Sequence, residues 1–101
     1  MEKYFLNIKS PWVFDQPEDT EAITNKTIIN DGAPILHVYH DINNHGWHFL
    51  GIEDVDDNDI VLITMEEIVE LDPSVEEVAH IEPGWHAWRS EIGDEWIFAE
   101  Y

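Results

Sequence analysis

The order of apolar runs and turn residues predicts an α+β domain, a mostly antiparallel sheet of four to six strands with two short helices. Three observations carry that expectation. Strand-like runs joined by turn residues occur twice, at 35–52 and at 85–101, and each reads as a β-hairpin. The β-branched run Ile60-Val61-Leu62-Ile63 stands directly before a helix start signal. Finally, Ile68, Leu71, Val75 and Val78 recur at three- and four-residue steps, so one apolar stripe crosses the break at Asp72-Pro73.

Taken in order, residues 1–20 are the least patterned. Tyr4 to Ile8 reads as an edge strand, and Trp12-Val13-Phe14 forms an apolar cluster after Pro11. Asp15 to Thr20 is an acidic loop broken by Pro17. Thr24 reads as a helix cap, with a single helical turn over Lys26 to Ile29 and Gly32 as its stop. Pro34 leads into a strand at 35–41, Asn43 to Gly46 is turn chemistry, and a second strand follows at 47–52. A turn centred on Asn44 would set His40 opposite His48 and Asp41 opposite Trp47.

Glu53 to Asp59 is an acidic loop feeding the strand at Ile60. Thr64 and Glu67 have the spacing of a capping box, which starts a helix running to Leu71. Asp72 caps a second helix with Pro73 at its first position, where a missing N–H costs nothing. After Gly84 come a strand at 85–89, a turn at 90–95 containing Gly93, and a last strand at 96–101.

Length and composition bound the function. A chain of 101 residues holds one domain, and 44% apolar residues with five tryptophans mark it as globular. No apolar run approaches the roughly 20 residues of a membrane span, and the start of the chain lacks the features of a signal peptide. The absence of cysteine excludes disulfides and thiolate chemistry and points to a reducing cytoplasm. The 23 acidic residues against 4 basic ones give a formal charge of −19. That field repels nucleic acid and anionic membrane, and attracts cationic proteins or metal ions.

Each candidate site has a plainer reading beside it. His37 and His40 are three apart, as are His45 and His48, a step that puts strand residues on opposite faces. A metal site would need cross-strand pairing of His40 with His48 and a third ligand such as Asp41; the plainer reading is hydrogen-bonded sheet histidines. Asp54, Asp56 and Asn58 match the first, third and fifth positions of a calcium loop. The sixth is Asp59 instead of glycine and the twelfth Met65 instead of glutamate, which leaves an acidic turn. No nucleophile elbow, phosphate-binding glycine loop or basic patch occurs, so neither enzymatic activity nor a cofactor is expected. Trp47 and Trp96 read as core filling, whereas Trp88 beside Arg89 reads as a surface aromatic, a residue type that anchors protein interfaces.

Four segments together carry a resemblance: GAPILHVYHD at 32–41, GWHFL at 46–50, EEIVELDPS at 66–74 and PGWHAWR at 83–89. They resemble a family of small, uncharacterised bacterial proteins, more distantly similar to acidic immunity-type proteins that neutralise toxins. The recurring positions are Gly32, Pro34, His40, Asp41, Trp47, Phe49, Glu67, Asp72, Pro73, Gly84, Trp85 and Arg89. His48 departs from the usual glutamine. The resemblance carries no residue role, but with the acidic charge it leads to the expectation of an immunity or inhibitor protein in which Asp56, Asp57, Glu66, Glu67 and Glu70, with the surface aromatic Trp88, meet a cationic, toxin-like partner. The alternative is a small metal- or ligand-binding domain using His40, His48 and Asp41. Edge strands leave homodimerisation open.

Overall fold

The computed structural model describes residues 11–51 and 59–101. The expected strand at Tyr4 to Ile8 and most of the acidic loop before Ile60 lie outside the described residues. The strands are β1 (Glu21–Asn25), β2 (His37–His40), β3 (Trp47–Leu50), β4 (Ile60–Thr64), β5 (Trp85–Trp88) and β6 (Ile97–Glu100). The helices are α1 (Lys26–Asp31), α2 (Met65–Leu71) and a 3-10 helix at Pro73–Val78. The sheet runs β4-β1-β3-β2-β5-β6. Every neighbouring pair is antiparallel except β1 with β3, so the sheet is mixed but mostly antiparallel. This is the α+β fold the sequence predicts.

Local chemistry explains most of the elements. The Thr64 hydroxyl accepts from the Glu67 N–H at 3.1 Å while Glu67 Oε1 accepts from the Thr64 N–H at 3.0 Å, completing the capping box. Asp72 Oδ1 accepts from the Ser74 N–H at 3.0 Å and from its hydroxyl at 2.6 Å, opening the segment behind Pro73 as a 3-10 helix. α1 ends at Gly32 with φ of 71°, a left-handed conformation that glycine adopts without steric cost.

Two local expectations are corrected. Thr24 is not a cap. It lies in β1, fully buried, and its hydroxyl donates to the Phe49 carbonyl at 2.7 Å. Asn25 holds the cap position without a side-chain bond to the helix, its Oδ1 accepting from Gly51 N–H instead. β1 escapes sequence reading because Glu21-Ala22-Ile23-Thr24-Asn25 has few strong strand formers; its place between β3 and β4 makes it a strand.

The second correction concerns the first hairpin, where His40 faces Trp47 and Tyr39 faces His48. Asp41 fixes this register. Its Oδ1 accepts from the N–H groups of Asn43 and Asn44 at 2.7 and 3.1 Å, and its own N–H donates to the Gly46 carbonyl at 2.8 Å. The turn therefore centres between Asn43 and Asn44, one step from the expected register, and every cross-strand pair changes.

Strand alternation then divides the sheet. Ala22, Thr24, Val38, His40, Trp47, Phe49 and Ala87 point to one face and are buried. Met65 and Ile68 of α2, Val75 and Val78 of the 3-10 helix, and Phe14, Ile28, Ile35 and Ile81 join them in one core. All three helices place buried residues in this core. Trp47, at 1% exposure, is core filling as expected, and Trp96 packs partly buried against the same cluster.

Candidate functional site

The face opposite the core is built by the same alternation. β2 contributes His37 and Tyr39, β3 His48 and Leu50, and β5 His86 and Trp88, all half-buried. Their registers interlock, since Tyr39 pairs with both His48 and His86 while His37 pairs with Leu50 and Trp88. The rings pack as a continuous layer. Tyr39 stacks on His37 at 4.2 Å and on His86 at 5.2 Å between centroids, and meets Tyr101 edge-on at 5.4 Å. Trp88 lies 4.8 Å from His86. Apolar flanks extend this face: Leu62 of β4 and Ile97 of β6 are each 54% exposed. Such exposure is more than a sheet needs for its own core.

The electrostatics of this layer follow from burial. Desolvation holds the His37 imidazole below its ordinary 6.5, and the neighbouring His86 lowers it further. Burial likewise lowers His86. Burial lowers His48 as well, against an opposing pull from Asp41. All three rings are therefore neutral at neutral pH. His37 Nε2 and His86 Nδ1 lie 2.8 Å apart, so one ring donates and the other accepts. Both line a cavity of about 280 Å³ with Leu36, Trp88, Arg89 and Ser90.

The metal trio is not assembled. His40 belongs to the core face and His48 to the opposite face. His40 is 2% exposed and stacks on Trp47 at 4.0 Å; its Nδ1–H donates to the Ile81 carbonyl at 2.8 Å. Its Nε2 lies 3.0 Å from Asp15 Oδ2, without hydrogen-bond alignment. Trp47 Nε1 donates to the other Asp15 oxygen at 2.8 Å, and the loop carrying Phe14 is pinned to the sheet. Asp41 is committed to its turn, and the N–H groups of Asn44 and then Asn43 hold its carboxyl below the ordinary 3.8. Among the described residues no three His, Asp or Glu side chains are placed to share a metal ion.

The expected partner-binding residues fall on separate surfaces. Asp56 and Asp57 lie outside the described residues. Glu67 is engaged in its capping box, where the Thr64 N–H and then its hydroxyl lower the carboxyl below 4.5. Glu70 is exposed on α2, and Glu66 lines a cavity of about 400 Å³ with Glu18, Asp19 and Thr64. α2 covers the core face, whereas Trp88 stands on the opposite one. The sequence reading weighs His37 only in its spacing to His40 and leaves out Tyr39 and His86. The alternations His37-x-Tyr39 and His86-x-Trp88 were the available signal, but β2–β5 pairing joins segments about 50 residues apart. Compared with known proteins, the chain matches no family model, no curated protein and no solved structure.

Proposed function

We propose that this chain is a protein-binding domain, of the immunity or inhibitor kind its motifs resemble, that docks a cationic partner on the open face of its sheet. The observation that carries the reading is the layer of His37, Tyr39, His48, His86, Trp88 and Tyr101, on the face opposite the one where, among the described residues, the helices pack. Aromatic side chains held rigid by one another lose little freedom on docking and anchor interfaces well. The formal charge of −19 supplies the other half, since it selects a basic partner and speeds its approach. By register Glu21 shares this face, and Asp41 closes the hairpin at its end.

The test begins with cationic proteins encoded beside this chain, each co-expressed with it and captured. Binding is then measured for wild type, Trp88→Ala and Tyr39→Ala at about 0.05 and 0.3 M salt. Association should slow steeply at the higher salt, while either substitution should speed dissociation. Binding that ignores both salt and these substitutions refutes the reading, as does the absence of any bound basic protein.

A further inference from the structure

The sheet ends at β6, and among the described residues no strand pairs with its outer edge. The backbone groups left over there can be named. The Tyr101 N–H donates to the Gly84 carbonyl at 3.0 Å, in the register that sets His86 opposite Ala99 and Trp88 opposite Ile97. Opposed residues of an antiparallel pair exchange their hydrogen bonds at every second position. Ile97, Ala99 and Tyr101 therefore turn their backbone groups toward β5, while the N–H and C=O of Phe98 and Glu100 point outward. We propose that this edge takes up an extended, basic segment of the cationic partner as an added strand. This mode of binding rests on the docking reading for its partner and adds how that partner's chain is held.

Charge selects the occupant. β6 carries neither lysine nor proline, two residues that commonly guard a sheet edge. Its one charge is Glu100, which repels a second copy of a chain at −19 and attracts a cation. Glu91, Asp94 and Glu95 stand exposed in the turn before β6 and add to that field. Over residues 85–101 the one Lys or Arg is Arg89, buried and paired with Asp72. The opposite edge, β4, is less open. The Met65 N–H donates to the Thr20 carbonyl at 2.9 Å, so by the same alternation Thr64 points outward, and its N–H is already taken by Glu67 Oε1.

Side chains set the pattern that an added strand must carry. Ile97 and Ala99 lie on the face of Trp88 and His86, and the Tyr101 ring joins them against Tyr39. Ile97 and Tyr101 are 54% and 56% exposed, an apolar row with room beside it. Phe98 and Glu100 fall on the other face by alternation. A strand of alternating apolar and basic residues meets both rows at once. Main-chain hydrogen bonds supply its affinity and the alternate side chains its selectivity.

The test adds a capped hexapeptide of alternating lysine and valine to the full chain at about 0.05 M salt and follows amide hydrogen exchange residue by residue. With peptide at about ten times its Kd, the Phe98 and Glu100 amides should exchange about tenfold more slowly, since exchange there waits on dissociation. The Ile97, Ala99 and Tyr101 amides, already bonded to β5, should change little. Phe98→Pro removes an outward N–H and no bond to β5, and should weaken the peptide about fivefold, the worth of one hydrogen bond. Peptides with proline in place of valine, or glutamate in place of lysine, should lose binding. Equal binding of either control overturns the proposal, as does failure of the lysine–valine peptide to bind. A peptide that binds yet protects neither Phe98 nor Glu100 overturns it in the wild-type chain, whether or not the variant folds. That last outcome leaves docking on the open face standing, which partner capture and Trp88→Ala test separately.

Discussion

Removing the Arg89 charge while keeping its bulk, as in Arg89→Met, should cost a large share of this domain's stability. The guanidinium is buried, with 1% of its side chain exposed against 12% for Asp72, and Nη2 donates to Asp72 Oδ2 at 2.8 Å. Nε and Nη2 both donate to the Ile35 carbonyl, at 3.2 and 3.0 Å. Above them the guanidinium carbon sits 4.1 Å from the centre of the Trp96 ring, whose N–H donates to Glu77 at 3.0 Å. One side chain thus ties together the end of β5, the segment before β2, the start of the 3-10 helix and the approach to β6.

Breaking a buried ion pair by removing one partner costs about 3–5 kcal/mol, because the remaining charge stays desolvated. Against a total stability of about 5–15 kcal/mol, and about 4–8 °C per kcal/mol for a chain this size, the melting point should fall by more than about 12 °C. Asp72→Ala should cost at least as much, since it also removes a cap worth about 0.5–2 kcal/mol. The double variant should cost less than the sum by about 0.5–3 kcal/mol, because it strands neither charge. Urea denaturation of all four proteins measures this cycle. Additivity within about 0.5 kcal/mol, or a loss below about 1 kcal/mol for Arg89→Met alone, would refute the reasoning.

Two further outcomes follow from the geometry. His37, His48 and His86 titrate below 6.5 in the fold, so the unfolded chain takes up protons first as the pH falls; their contribution is complete above 6.5 and declines below it. Asp41 and Glu67 are depressed carboxylates whose contribution is present above 3.8 and 4.5 and is lost as the pH falls through their folded values. Denaturation midpoints should therefore begin to drop as the pH falls below 6.5, His37→Gln should shrink that histidine part of the drop, and a midpoint that rises between about pH 7 and 6 contradicts it. Gly84→Ala should destabilise by about 1 kcal/mol or more in the same assay, because φ is 90° there and a Cβ would meet Ile42 Cδ1 at 3.1 Å; an unchanged midpoint would show that the turn relaxes freely.

What the sequence made legible was local. The Thr64–Glu67 box, the Asp72-Pro73 start and the Gly32 stop are decided by residues within a few positions of one another, and each stands in the structure. Thr24 failed because a hydroxyl before a short polar run looks the same as cap or strand; only the Phe49 carbonyl, 25 residues away, decides between them. The hairpin register failed by one residue because the Asp41 carboxylate, an acceptor for two turn N–H groups, sets the centre. That single step moved His48 away from His40 and dissolved the expected metal trio. The imidazole layer was hidden for a related reason, since its members come from β2, β3 and β5, and the β2–β5 pairing has no local signature.

The separation of the acidic helix from the aromatic face bears on how a partner would be held. A set of carboxylates inside an interface must shed water to bind, and that desolvation cancels much of the attraction. Carboxylates outside the contact keep their hydration and still act through the long-range field. With Glu70 exposed on α2 and Trp88 on the far side of the sheet, steering and anchoring become separable quantities. Glu70→Gln should slow association at low salt and leave dissociation unchanged, whereas Trp88→Ala should do the reverse. A Glu70→Gln variant that dissociates faster would place α2 inside the contact and move the docking surface to the helical side of the molecule.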